Sequence, residues 1–181
     1  MKKYNSFSGL KSLKVEFLDV VDVFDHVLGI APRPFIHRNK LLHRAVHVFV
    51  FNKDGELFLQ KRSLNKDSAP GKWVSSCSGH VDSGEYYFDA AKRELAEEIG
   101  LYSHEGLRLL SIEQPRPETG YEHVHLFSCQ SEGPFRLNVL EIKEGMWISR
   151  EKLALWIEKK QQDFSWSFIF LWAQYLAINH L

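Results

Sequence analysis

Apolar and polar positions first recur with the short period of strands, and then the period lengthens. Residues 15–32 (VEFLDVVDVFDHVLGIAP) hold two short extended runs around a turn near Asp25–His26, which predicts a β-hairpin ahead of the main body. AVHVFVF at Ala45–Phe51 and ELFLQKR at 56–62 flank Asn52-Lys53-Asp54-Gly55, a strong signal for a second hairpin. A loop with Pro70-Gly71 leads to a short strand near Trp73–Ser78. From about Glu85 to Ile99, Phe88, Ala91, Leu95 and Ile99 recur at helical spacing, and Gly100 stands where a helix ends in a left-handed residue. Strands are predicted at Leu107–Glu113, Tyr121–Cys129 and Met146–Ile148, and helices at Arg150–Glu158 and about Ser165–Ile178. Strands on both sides of one strong helix, with more helices at the end, make a mixed α/β layered domain.

A length of 181 residues suits one domain: a start at 1–14 expected to be flexible, a hairpin and arm at 15–42, and a core at 43–181. With 44% apolar and 13% aromatic residues, a disordered or low-complexity chain is excluded. Two cysteines are too few for a disulfide framework, and MKKYNSFSGLKSLK lacks the apolar stretch of a secretory signal. A cytoplasmic location is therefore expected. The run FSWSFIFLWAQYLAI falls short of the roughly 20 residues that span a bilayer, so no membrane association is expected. That run reads as a buried or partner-facing helix, and exposure of Phe168, Phe170, Leu171 and Trp172 would imply a homodimer.

Charge changes the picture only when it is resolved along the chain. The total is zero, 23 basic against 23 acidic residues, which argues against a long nucleic acid as partner. Residues 33–72 nevertheless carry nine Lys/Arg against three acids, and residues 82–98 carry six acids against two cations. Within the second stretch Glu94, Glu97 and Glu98 stand at i, i+3 and i+4. At roughly 100° per residue they share one helix face, displaced by roughly 110° from the apolar stripe. Like charges at this spacing repel. A hard divalent cation such as Mg²⁺ relieves the repulsion, because it binds oxygen ligands. Arg93 can pair with Glu85, or with Glu97 at i+4, and hold the carboxylates in place. A solvated acidic surface is the common reading of such pairs, and the wider pattern argues against it here.

GHVDSGEYYFDAAKRELAEEIGL, from Gly79 to Leu101, resembles the Nudix box, G-x5-E-x7-R-E-U-x-E-E-x-G-U with U a bulky aliphatic residue. Gly79, Glu85, Arg93, Glu94, Leu95, Glu97, Glu98, Gly100 and Leu101 fit every fixed position, a coincidence on the order of 10⁻⁹ per window at average residue frequencies. Flanking segments (LDVVDVFDHVLGIAPR, LLHRAVHVFVFNKDGELFLQKRS, APGKWVSSCSGHVDSGE) are similar to the branch of the family that includes type I isopentenyl diphosphate isomerases and related hydrolases. The resemblance covers roughly residues 15–150. It implies a Nudix α/β/α sandwich around a mixed sheet, here preceded by the N-terminal hairpin.

The resemblance also implies a reaction: attack of water on phosphorus of a nucleoside diphosphate linked to another moiety, or of a similar small organic diphosphate, with Mg²⁺ or Mn²⁺ held by Glu94, Glu97, Glu98 and the carbonyl of Gly79. The general base is Glu94 or an acid from a later loop, Glu141 or Glu144, with Glu141 preferred. Arg93 joins Glu94, Glu97, Glu98 and Glu141 in the catalytic set that the resemblance implies, and Glu85 and Gly100 are structural in the motif. Lys61, Arg62 and Arg44 are candidates to hold phosphate. His43, His47, His123 and His125 suggest a metal only loosely, and packing or hydrogen bonding is their commoner role. Trp73, Tyr86, Tyr87 and Phe88 could stack a base, with core packing the better reading of each.

The alternative is an isopentenyl diphosphate isomerase. Isomerases of this branch use a cysteine two residues before a histidine, where this chain has Ser78-Gly79-His80. Cys77 comes one residue early, which on a strand turns its thiol to the other face. Their Glu-x-Glu pair on the later strand is missing from Tyr121-Glu122-His123-Val124-His125. A third option, a binding module without catalysis, has no use for clustered acids that repel without metal. The expected activity is therefore hydrolysis.

Overall fold

The computed structural model describes residues 15–102 and 106–180, so the expectation for residues 1–14 lies outside the described part. The predicted N-terminal hairpin is present as β1 (Phe17–Val21) and β2 (Val27–Pro32), antiparallel and set apart as a two-stranded sheet. The arm after it holds an element that the periodicity did not predict. Arg33–Asn39 forms helix α1, started by Pro34 in its first turn and ended by Lys40 in the left-handed conformation. Seven residues with one buried side chain, Ile36, give too short a pattern to read.

The core is one mixed sheet of seven strands. It runs β5 (Trp73–Val74), β4 (Leu57–Arg62), β3 (His43–Phe51), β8 (Glu122–Gln130), β7 (Arg108–Glu113), with β6 (Cys77–His80) on β3 and β9 (Ile142–Ile148) on β4. β3 runs parallel to β8 over nine paired positions, His43↔Glu122 through Phe51↔Gln130. The Asp-Gly turn is built as expected: Asn52 Oδ1 accepts the N–H groups of Asp54 and Glu56, and Gly55 takes φ 76°.

One expectation needs correction. The strands flanking that turn pair only at Phe51↔Leu57 and then splay apart, with β6 pairing to β3 and β5 and β9 pairing to β4. The sheet therefore forks. The interval between its prongs is where the site forms.

Helices cover both faces. On one side α2 (Tyr87–Ile99) buries Ala90, Ala91, Leu95 and Ile99 against Val46, Val48, Phe127 and Cys129. Phe88, expected in that stripe, is instead half-exposed over the Phe127 ring, and Ala90 takes its place. Gly100 closes the helix at φ 70°, its N–H reaching the Ala96 carbonyl, a position where a Cβ would be strained. On the other side α3 (Arg150–Lys160) and α4 (Trp166–Ile178) pack on the sheet. Phe168, Leu171 and Trp172 of α4 are buried, with the Phe168 and Trp172 rings 6.0 and 5.8 Å from that of Phe49. The apolar C-terminal run is thus core, and the condition set for a homodimer through it is not met. Among the described residues no helix is long and apolar enough to cross a membrane. This is the expected α/β/α sandwich preceded by a hairpin.

Candidate active site

A cavity of about 760 Å³ opens in the fork of the sheet. Its walls come from α2, β6, the first half of β3, the N-terminal hairpin with α1, the loop after β4, the turn that leads into β8, and the start of α4. Helical spacing delivers Glu94, Glu97 and Glu98 to one wall together, as the sequence predicts. Their surroundings differ sharply. Glu98 is buried and accepts from Gln60 Nε2 at 2.8 Å and from the Ser78 N–H at 3.0 Å. Burial is the main influence pushing its carboxyl above the usual range. Glu94 is pushed up to about 8, first by burial and then by Glu98, against the pull of Arg93 at 2.5 Å. The Glu97 side chain is mostly exposed.

Arg93 binds this wall together. It donates to both carboxylate oxygens of Glu85 (3.0 and 2.8 Å), to the His80 carbonyl (2.9 Å), and to Glu94, with Glu97 at 3.5 Å. Both pairings considered for it from sequence are therefore made. Glu85 lies just outside the helix and caps the loop, its Oε2 accepting the Asp82 N–H. Gly79 packs directly on the Glu94 carboxylate, with no room for a Cβ between them.

The cations sort differently from expectation. Arg62 lines the cavity, with its Nε donating to the Ser68 carbonyl. Lys61, one residue earlier, does not line it and is paired with Glu144 at 3.2 Å over the Trp73 ring. Adjacent strand residues face opposite ways, so the two could not share the site. Arg44 is also outside the lining, because the hairpin claims it: Asp25 accepts at 2.6 Å and Asp19 at 3.3 Å. Arg44→Ala, leaving both acids without that partner, is expected to cost about 2–3 kcal/mol of stability in urea unfolding. Besides Arg62 and Arg93, the cations that line the cavity are Arg33, held by Asp67 at 2.6 Å, and Lys66, held by Glu141 at 2.6 Å. Sequence counted both in the basic segment without singling either out. Glu141 faces the cavity and Glu144 does not line it.

A second cluster was missed. His37 of α1, His43 of β3 and His80 of β6 bring ring nitrogens within 4.8 Å of one another. Glu122 lies 3.5 Å from both His43 and His80, and Glu16 accepts from His80 Nδ1 at 2.9 Å. Buried between the histidines, Glu122 is held well below the usual carboxylate range, while His80 is raised to about 9 by these two acids against its own burial. His37, partly desolvated beside the other rings, falls to about 4. His43 Nε2 is buried without a hydrogen-bond partner. A nitrogen-rich set with one carboxylate suits a borderline transition ion better than Mg²⁺. The signal was four residues on four elements, which no spacing rule joins. The other histidines have the roles expected of them: His47 Nδ1 bonds Ser75 Oγ, His123 bonds the Asp22 carbonyl, and His125 stacks on Tyr87 at 3.5 Å. Trp73 lies in the core and Tyr86 is exposed.

Similarity to known proteins agrees with this geometry. A family model described as NUDIX domain matches residues 41–169. A Nudix hydrolase of Yersinia pestis is 33% identical over 144 residues, covering 77% of this chain and 76% of that protein. An isopentenyl-diphosphate Delta-isomerase 2 of Photorhabdus laumondii is 34% identical, covering 76% of this chain and 80% of its own length. Among solved structures, DR0079 of Deinococcus radiodurans superposes with a TM-score of 0.69 at 28% identity, over 80% of this chain and 90% of that one. The chain belongs to the Nudix family.

Proposed function

We propose that the protein hydrolyses the diphosphate bond of a small organic diphosphate, with Mg²⁺ or Mn²⁺ as cofactor. The observation that carries this reading is one cavity lined both by acids of α2, the buried Glu98 and the partly buried Glu94, and by the cations Arg33, Arg62 and Lys66. The donor set fits a hard cation, since Glu94, Glu97, Glu98 and the Gly79 carbonyl supply only oxygen and two of the acids are raised by burial and crowding. Such an ion would neutralise phosphate charge and acidify water. The chain's own groups do the rest. Arg33, Arg62 and Lys66 receive the phosphate oxygens, exchanging Asp67 and Glu141 for substrate. Glu141, freed from Lys66, faces the acids across the cavity and takes the proton of the attacking water. Arg93 keeps the acidic wall in register.

With Mg²⁺, organic diphosphates should release phosphate, and EDTA should stop it. A folded protein that turned over none of a panel of nucleoside, sugar, prenyl and thiamin diphosphates would sink this reading.

The isomerase reading is favoured by relatives of that name, including one of Burkholderia multivorans at 33% identity. Against it stands the position of Cys77. It pairs with Val48, sits fully buried on the α2 side, and its thiol is pushed up by burial and Glu98. Ser78 is the residue that reaches the cavity. Solvent deuterium entering isopentenyl diphosphate above background would reverse this preference.

A further inference from the structure

The cavity has two ends of different chemistry. Beside β3 and the first turn of α4, on the face of the sheet opposite α2, its lining includes His47, Thr119, Ser165 and Ser167, with Glu118 and Glu122 flanking Thr119. His47, Thr119 and Ser165 are 6%, 2% and 7% exposed. Thr119 and Ser165 are satisfied internally: Thr119 Oγ1 bonds the Arg116 carbonyl, and Ser165 Oγ accepts the Phe168 N–H as the helix cap. His47 is only half satisfied. Its Nδ1 meets Ser75 Oγ at 2.8 Å, and among the described residues its Nε2 has no partner. Burial keeps the ring neutral, with its pKa drawn down to about 4. Nε2 is then an acceptor or a donor according to which way the Ser75 hydroxyl points. A hydroxyl answers either case, whereas a carbonyl or an ammonium answers only one.

The neighbouring helix end adds to this. α4 has thirteen residues, and the N–H groups of its first turn have no partners within the helix. Ser167 Oγ stands 3.1 Å from Ser165 Oγ at that end. Ala45 and Val74 are the small apolar residues beside it. Among the described lining residues the one phenyl or indole ring is Phe17, on the hairpin. A nucleobase needs a stacking face, and a prenyl chain needs an apolar tunnel. Neither lines this end.

We infer that this end binds the group carried on the diphosphate, and that the group is hydroxyl-rich and non-aromatic, a sugar or polyol. The inference rests on the hydrolase reading above. Water adds across the P–O–P bridge: the attacking oxygen bonds one phosphorus, the bridge bond breaks toward the other, and one proton is released at neutral pH. The sugar itself is untouched.

The test measures kcat/KM of the full chain with Mg²⁺ on four diphosphates: 5-phosphoribosyl 1-diphosphate, thymidine diphosphate, dimethylallyl diphosphate and methyl diphosphate. The ribosyl compound is expected at least about tenfold above methyl diphosphate, with the other two no better than methyl. Ser167→Ala, which leaves the Ser165 cap in place, and His47→Gln should each cut the ribosyl-to-methyl ratio about tenfold. Preference for the nucleoside or prenyl compound, or an unchanged ratio in Ser167→Ala with the fold intact, overturns the inference while the hydrolase reading stands. No turnover of any of the four overturns both.

Discussion

Replacing Glu98 by glutamine is expected to lower metal-dependent turnover at least about a hundredfold and, in the same protein, to raise the melting temperature without metal. The two effects share a cause. Glu98 is 4% exposed, and its two hydrogen bonds, from Gln60 and Ser78, are both to one oxygen that a glutamine carbonyl reproduces. What the substitution removes is a buried negative charge beside Glu94. On the proposed function that charge would serve a cation, and it opposes folding when no cation is bound. The same logic gives a pH dependence. Glu94 has its folded pKa raised to about 8 from 4.5, so between those values the folded chain holds more protons than the unfolded one. In EDTA, stability should therefore rise as pH falls from 8 toward 4.5, and saturating Mg²⁺ should weaken that slope. Thermal unfolding at pH 5.5 and pH 8, with and without Mg²⁺, measures all of this. A Glu98→Gln protein that melted lower in EDTA would show that the acids are paired and satisfied without metal.

Gly79→Ala should separate folding from function in the opposite way. An ideal Cβ at Gly79 would lie 2.1 Å from Glu94 Oε1 and 2.2 Å from its Cδ, well inside contact. The backbone there is not in the left-handed region, so the methyl group is the whole perturbation. Glu94 is a flexible side chain and can swing aside, which keeps the cost in stability within about 1 kcal/mol. Swinging aside takes the carboxylate from its place beside Arg93 and Glu98. The Mg²⁺ concentration giving half-maximal rate should rise at least about tenfold, while the urea midpoint moves little. An alanine variant with wild-type Mg²⁺ dependence would remove the Gly79 contact from the account of the site.

How much of this was legible follows from the distance over which each feature is encoded. The acidic wall is a matter of helical periodicity: i, i+3 and i+4 share a face whatever surrounds them, and Gly100 marks the end of the same local unit. Cys77 turning away from the cavity is likewise a one-residue argument about strand alternation, and it holds. Nonlocal features escaped. Arg44 reads as a phosphate ligand until the hairpin is seen to bring Asp19 and Asp25 onto it. The Asp-Gly turn is local and correct, yet the splaying of β3 from β4 depends on β5, β6 and β9 taking up their edges. His37, His80 and Glu122 become neighbours only because α1 and β8 converge on β6.

If the cavity binds the diphosphate as proposed, the long parallel ladder between β3 and β8 would make it a gauge of substrate length. Ala45 and His47 are the β3 residues that line the cavity, opposite His80 and Ser78 respectively, and they stand roughly 7 Å apart along the strand. Nine paired positions hold that spacing, and no loop intervenes that could stretch or shorten it. Ligands that differ in reach should therefore be discriminated by backbone dimensions, ahead of any contact their functional groups make. Redesign for a longer or shorter molecule would have to alter the mouth, at the hairpin or the loop after β4, because the floor cannot give.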